Sequence, residues 1–328
     1  MLVCDRGFVL LSKVLNMGKF SILPPHWFFE LNSDKCLKED ELSCDDWINV
    51  IKQIPFYSDI TIGGSDPTKR EDFCDILQFA SKKTFSRVKL ITNAKNLNQQ
   101  IIDSIIDNKL KLLTVTMDKF PNQTVISNLS NLYKRCVERK ANIAVEIQAK
   151  ILKNNLEDLL KIYEYATNNG FEHFSVSFEK NNELQRNFNL SDTFGKKFYS
   201  ENYPIEPYFD IEKLEKIYTE LNKLKKYSKT KICFQPDFKD FESIKTFFNS
   251  KDKDAKEIYE PCNYPYINLT INPAGNIYPC LSYKMGNVKE NSLKNILRSR
   301  NYRIFMRHLK IRKVFSSCTM CQELKVKE

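Results

Sequence analysis

Between residue 27 and about residue 180, six short apolar runs alternate with five amphipathic stretches, and this alternation restricts the fold more than any other feature of the chain. The apolar runs are WFFEL (27–31), DITIG (59–63), RVKLITN (87–93), LLTVTMD (112–118), NIAVEIQA (142–149) and HFSVSF (173–178). Between them, residues 45–54, 69–83, 99–108, 123–139 and 155–169 carry apolar side chains at helical spacing. In the last of these, Leu156, Leu159, Leu160, Tyr163 and Ala166 make one stripe, and Gly170 stands where a helix ends in a left-handed residue. Such alternation is the mark of parallel βαβ units, whose strands are covered on both faces and are therefore apolar throughout. An open doubly wound sheet and a partial barrel both satisfy it, and periodicity does not choose between them.

The rhythm breaks at residues 181–210, which are polar and aromatic without regular period and read as a loop or lid. A helix marked by Leu214, Ile217, Tyr218, Leu221 and Leu224 follows, then a short strand, KICFQ (231–235). Residues 251–260 are charged and read as a linker. Beyond Pro261, YINLTINPAGNIYPC holds two strand runs around Pro273-Ala274-Gly275-Asn276, a hairpin signal because Gly275 can take the positive φ of the turn. A helix over Ser292–Arg300 precedes a final Cys-x2-Cys.

With 328 residues, 42% of them hydrophobic, the chain can bury one large domain and a small appendage. No apolar run reaches the roughly 18 residues of a membrane span. Asp5, Arg6 and Lys13 interrupt the N-terminal segment, which lacks the features of a signal peptide. The expected location is the cytoplasm, where ten cysteines are thiols and any tight grouping of them points to metal ligation or redox chemistry. Cys74, Cys136 and Cys233 stand singly and read as core residues. Cys262 and Cys280 flank the hairpin, whose antiparallel pairing brings its two ends together, and Cys318 and Cys321 can grip one centre from a single turn. Four such sulfurs suit tetrahedral Zn²⁺ or an iron–sulfur cluster, and the spacing leaves both open. His26, His173 and His308 are unclustered, so no histidine acid–base site is read; Glu146 and Glu179, near strand ends, could line the barrel mouth but read first as solvated or salt-bridged carboxylates.

The net charge of +10 is concentrated at one end: residues 281–328 hold twelve Lys/Arg against three Glu. The run from Arg298 to Lys313 reads as a solvated helix face or as a surface for an anionic partner or substrate, nucleic acid included, and such cations would also stabilise the reduced form of a nearby anionic [4Fe–4S] centre.

The order Cys262-x12-Gly275-x4-Cys280, then GNVKENSLKNIL, then Cys318-x2-Cys321 resembles radical-SAM proteins with a SPASM or twitch extension. That family's pattern is Cys-x(9–15)-Gly-x4-Cys, a Gly-Asn step, a helix and later cysteines. With only two cysteines after the helix, the short twitch form with one auxiliary [4Fe–4S] cluster fits better than the two-cluster form, and the resemblance favours iron–sulfur over zinc. It extends to the first half of the chain. LPPHWFFELNSDKC resembles the family's first strand and first cluster cysteine, and ITIGGSDP the strand whose GGEP motif binds the amino end of S-adenosylmethionine, here with Ser65-Asp66 in place of one Glu. LITNA and LLTVTMD resemble the next two strands. The resemblance implies a partial (β/α)6 barrel over residues 27–250, after an N-terminal segment 1–26 and before a cluster-binding unit 261–328. It also implies that Gly63, Gly64, Asp66, Thr92, Asn93 and Asp118 lie at the carboxyl ends of strands, where the cofactor would bind.

One departure governs the functional expectation. Radical-SAM catalysis uses Cys-x3-Cys-x2-Cys after the first strand, leaving one iron open to S-adenosylmethionine. Here Cys36 is followed at the corresponding spacings by Asp40 and Ser43, poor ligands for a soft centre, and the next cysteine, Cys44, opens the following helix. The expected protein therefore keeps the auxiliary cluster and lacks the catalytic one, serving as an accessory, binding or electron-transfer protein, with S-adenosylmethionine binding left open. The alternatives are a divergent radical-SAM enzyme acting on a peptide, sugar or small molecule, including an unusual site built on Cys36, Cys44 and a third ligand such as Cys4, and a zinc-stabilised binding module.

Overall fold

The structure is a computed structural model that describes residues 24–34, 40–152, 155–178, 210–249, 255–280, 283–315, 318 and 321–327. Seven strands run parallel in sequence order: β1 (His26–Asn32), β2 (Asp59–Gly64), β3 (Val88–Thr92), β4 (Leu112–Thr116), β5 (Ala144–Ile151), β6 (His173–Phe178) and β7 (Lys231–Gln235). Between them stand α1 (Cys44–Gln53), α2 (Phe73–Thr84), α3 (Gln99–Asp107), α4 (Gln123–Glu138), α5 (Asp158–Asn168) and α6 (Ile211–Lys225), followed by α7 (Phe241–Asn249).

The six expected strands are extended on both edges. KICFQ pairs with β6 as β7, and at the other edge β8 (Asn268–Ile271) pairs in parallel with β1, His26 opposite Asn268. Strands β9 (Asn276–Tyr278) and β10 (Gly286–Asn287) continue from β8 antiparallel, giving one ten-stranded sheet. All four residues of β8 are buried, as a strand must be when it joins the edge of a covered sheet.

Alternation along β1 explains how the sheet is packed. Trp27, Phe29 and Leu31 are fully buried against the helical layer, where Phe29 meets Trp47 of α1 at 5.1 Å between ring centroids. The opposite face presents His26, Phe28, Glu30 and Asn32 to the interior of the curved sheet. Residues 255–260 are not a free linker. They form α8 (Ala255–Ile258) and then Tyr259, which bridges antiparallel to Val326, with Ala255 and Tyr259 both 1% exposed. Among the described residues, no helix is long and apolar enough to cross a membrane.

The C-terminal unit continues through α9 (Tyr264–Ile267), the β8–β9 hairpin, α10 (Leu293–Arg298) and α11 (Arg300–Arg312). The hairpin turns at Gly275, which has φ +82°, and a Cβ there would come within 3.0 Å of Leu42 and Val288. This tight approach is the contact between the hairpin and the loop before α1: Leu42 N–H donates to the Pro273 carbonyl at 2.7 Å, and Lys289 Nζ to the Asp40 carbonyl at 3.3 Å.

Candidate metal centre and the barrel mouth

Cys262 sits between α8 and α9, and backbone hydrogen bonds lay this stretch against the chain's tail. Cys262 N–H donates to the Lys313 carbonyl at 2.9 Å, Glu260 N–H to Lys325 at 2.8 Å, and Lys327 N–H to Ile258 at 2.8 Å. The tail itself turns tightly, with Cys321 N–H donating to the Cys318 carbonyl at 3.1 Å. Cys280 follows β9, which pairs with β8 just beyond α9. All four thiols are partly buried, pack against the hydrophobic core and form no disulfide.

The Cys262 thiol is affected electrostatically by the other three. Burial pushes its pKa well above the ordinary value, and Cys318, Cys321 and Cys280 raise it further in that order. Each thiolate makes the next more costly, a crowding that a soft cationic centre would relieve. The donor set therefore fits an iron–sulfur cluster or zinc. Among the described residues no three His, Cys, Asp or Glu side chains already converge at ion-coordinating distance, so the four thiols share a neighbourhood rather than a closed shell. Tyr264 borders it: burial lifts its pKa well above the usual phenol value, Glu323, Cys321 and Cys280 add to the rise, and a hydrogen bond with Thr270 of β8 opposes it.

The loop after β1 is built differently. Cys36, like Cys4, lies outside the described residues. Asp40 is exposed. Ser43 caps α1: its hydroxyl accepts from Asp46 N–H at 3.2 Å, while its own N–H and O–H donate to the Asp46 carboxylate at 3.0 and 2.8 Å. The Cys44 thiol has its pKa raised by burial and then by Asp72, Asp75 and Asp45, which disfavours the thiolate that ligation needs. Arg70 ties together the described residues on either side of this loop. Its guanidinium donates to the Leu31 carbonyl at 3.1 Å, the Leu42 carbonyl at 3.0 Å, Glu41 at 3.3 Å, and Asp72 through two bonds of 2.8 and 2.7 Å. Glu41 in turn accepts from Ser33 N–H at 3.2 Å. Nothing in the sequence singled out Arg70 or Glu41; their role depends on contacts between segments 29 residues apart.

Of the residues at the strand ends, Gly64 has φ +130°, and a Cβ there would lie 2.4 Å from the Asn32 carbonyl. At Gly63 a Cβ would meet the Phe28 ring at 2.8 Å. Asp66 is fully buried. One of its carboxylate oxygens accepts from the Thr68 hydroxyl at 2.7 Å and from the Thr92 hydroxyl at 2.9 Å, and the other accepts from Asn96 Nδ2 at 2.8 Å. Asn32 bonds the Asp66 backbone on both sides. The structure thus brings Asp66 and Thr92 together, bonded to each other within the wall. Asn93 is separate and accepts from Lys95 N–H at 2.9 Å. Asp118 keeps one buried carboxylate oxygen with no hydrogen-bond partner.

Glu146 overturns its expectation of a solvated carboxylate. It is 1% exposed, facing the barrel interior from β5, where one oxygen accepts from the Thr114 hydroxyl at 2.9 Å and the other has no partner. The third position of a strand whose alternate residues face inward put it there. Glu179 and most of the expected lid lie outside the described residues. His26 is built into the base of the barrel: Nε2 bonds the Thr61 hydroxyl at 2.8 Å and Nδ1 bonds the Asn268 side chain, joining β1 to both of its neighbours. Burial, reinforced by Lys89, lowers its pKa to about 4, against smaller opposing effects of Asn268 and Asp59.

Residues 262–322 match the SPASM family, an iron-sulfur cluster-binding domain. No curated protein matches the chain at the level of sequence. Solved structures do match it. SuiB from Streptococcus suis bound to S-adenosylmethionine superposes with a TM-score of 0.59 at 15% identity, covering 93% of this chain and 74% of SuiB. SuiB bound to the precursor peptide SuiA gives 0.59 at 16% identity over 92% and 70% of the two chains. A histidine-tagged anSMEcpe with bound AdoMet gives 0.54 at 14% identity over 91% and 86%. At these identities the likeness establishes the fold.

Proposed function

From a radical-SAM fold that carries a SPASM iron-sulfur domain, we propose that this protein holds one auxiliary [4Fe–4S] cluster on Cys262, Cys280, Cys318 and Cys321 and performs no reductive cleavage of S-adenosylmethionine. In this reading residues 27–250 are a retained barrel scaffold, residues 261–328 are a twitch-type cluster unit, and the protein serves an accessory, binding or electron-transfer role in the reducing cytoplasm.

The observation that carries the proposal is the contrast within one molecule. The Cys262 thiol is crowded by the three other cysteines, whereas Glu41 of the first loop is fastened to Arg70 and Ser43 to the start of α1. A cluster bound at the four sulfurs would supply one-electron chemistry or a structural clamp. Cys262, Cys280, Cys318 and Cys321 would hold it, and Tyr264 would shield one side. Asp66 is fully buried and already accepts from Thr68, Thr92 and Asn96, so its carboxylate is engaged within the wall of the barrel.

The test is to incubate the anaerobically purified, dithionite-reduced protein with S-adenosylmethionine and assay 5′-deoxyadenosine. None is expected above the protein-free control, and no saturable heat of binding in a calorimetric titration of S-adenosylmethionine. Sustained formation of 5′-deoxyadenosine would instead establish a divergent enzyme.

A further inference from the structure

We propose that the outward face of α11 docks an acidic polypeptide. Between Glu290 and Glu323 the sequence has no acidic residue. Arg300, Arg303, Arg307 and Lys310 fall at helical spacings of three and four, so they form one stripe about 15 Å long, and all four are exposed. The opposite face of the same helix is committed to the core through Phe305 and Leu309. Among the described residues, no ion pair involves any of the four stripe cations, nor Lys294 or Arg298.

Helix stability does not account for this stripe. Cations favour the last turn of a helix, where they meet the negative end of its dipole. Arg300 and Arg303 stand in the first turn, which contains no acid to offset them. Neighbouring like charges three or four residues apart also repel. Such a face is stabilised when an anionic partner covers it.

The chemistry of the stripe favours polypeptide over nucleic acid or lipid. Single-stranded nucleic acid is held by exposed aromatic rings as well as cations. On α11 the two rings are withdrawn: Phe305 is buried and Tyr302 is partly buried against the core. The exposed apolar side chain on the stripe is Ile311, at 67% exposure. One aliphatic anchor among guanidinium forks fits a peptide that presents carboxylates on either side of an apolar residue. It is too small an apolar face for insertion into a bilayer. The inference rests on charge and shape alone and does not depend on which metal the cysteines hold.

The experiment is fluorescence anisotropy on the full chain with a labelled Glu/Leu peptide of about 16 residues, compared with a single-stranded oligonucleotide of equal charge and with phosphatidylglycerol vesicles. Expected are saturable peptide binding at low salt, weakening by about tenfold or more as salt is raised several-fold, and a similar loss in the Arg303→Glu/Arg307→Glu variant. Ile311→Ala should weaken binding severalfold at every salt concentration. Circular dichroism and metal content of the same samples report folding and the cysteine site separately. If the double reversal does not fold, Arg303→Gln and Arg307→Gln are read singly, each expected to weaken binding about two- to fivefold. Unchanged peptide affinity in the folded variants, or tighter binding of the oligonucleotide or the vesicles, overturns the proposal.

Discussion

The two places where a fold of this kind keeps cysteines have diverged within one chain. In the C-terminal unit, backbone pairing lays the segment around Cys262 against the tail that carries Cys318 and Cys321, and Cys280 follows the hairpin; burial, and after it these thiols, raise the Cys262 pKa. After β1, the corresponding loop is held by Arg70, Glu41 and Asp72, by the Ser43–Asp46 capping box, and by the hairpin turn pressed on Leu42. Ion pairs and a capping box hold the second region, whereas in the first, burial and neighbouring thiols raise the cost of ionising Cys262.

The contrast is most exposed to challenge at the cysteines. Cys318→Ala or Cys321→Ala should abolish bound metal and the associated visible absorbance, and should loosen the tail that pairs with Ile258–Cys262, read as new proteolytic cleavage after residue 313. Cys44→Ser should leave metal content unchanged. Metal retained in the tail variants, or lost in Cys44→Ser, would reverse the two regions' roles.

At the loop, Arg70→Ala removes a guanidinium 12% exposed and leaves Glu41 and Asp72 without it, so unfolding stability should fall by about 3 kcal/mol. Arg70→Lys should recover little, because one ammonium cannot reproduce the bonds to Leu31, Leu42 and Asp72 together. Chemical denaturation checks both, and metal content should be untouched.

His26 sits at the seam between β1 and β8, where the barrel meets the C-terminal unit. Its pKa falls from 6.5 to about 4 in the folded protein, so as pH drops the unfolded chain takes up the proton first. The stabilisation is present in full above pH 6.5 and is lost as pH falls toward about 4, amounting to about 3 kcal/mol at most. His26→Gln should flatten the dependence of stability on pH in that window. The smallest effect is expected at Gly275→Ala, where a positive φ and a Cβ contact of 3.0 Å with Leu42 and Val288 should cost about 1–2 kcal/mol.

Much of this architecture was legible from period and spacing. The alternation of apolar and amphipathic stretches corresponds to β1–β6 and the helices between them, and Gly275 marks the hairpin turn. Sheet edges were not legible, because the pairing of β7 with β6 and of β8 with β1 is decided by tertiary contacts that leave no local signature. The same limit applied to the charged residues. Glu146 could be placed near a strand end, as a barrel-mouth or solvated carboxylate, but its burial was not legible, and residues 251–260 read as a linker although Tyr259 is buried against the tail. The cysteines were readable because soft ligands at fixed spacing are rare. Asp66 was readable as a strand-end residue but not as a buried acceptor, since Asn32, Thr68, Thr92 and Asn96 reach it from four separate positions in the chain.

The decisive quantity is the iron, acid-labile sulfide and zinc content of the anaerobically purified full chain, with electron paramagnetic resonance of the dithionite-reduced protein. A single auxiliary cluster predicts about four iron and four sulfide per chain, negligible zinc, and the signal of one reduced [4Fe–4S] centre. About eight iron per chain with two distinct signals, or a colourless protein with one zinc, would contradict it.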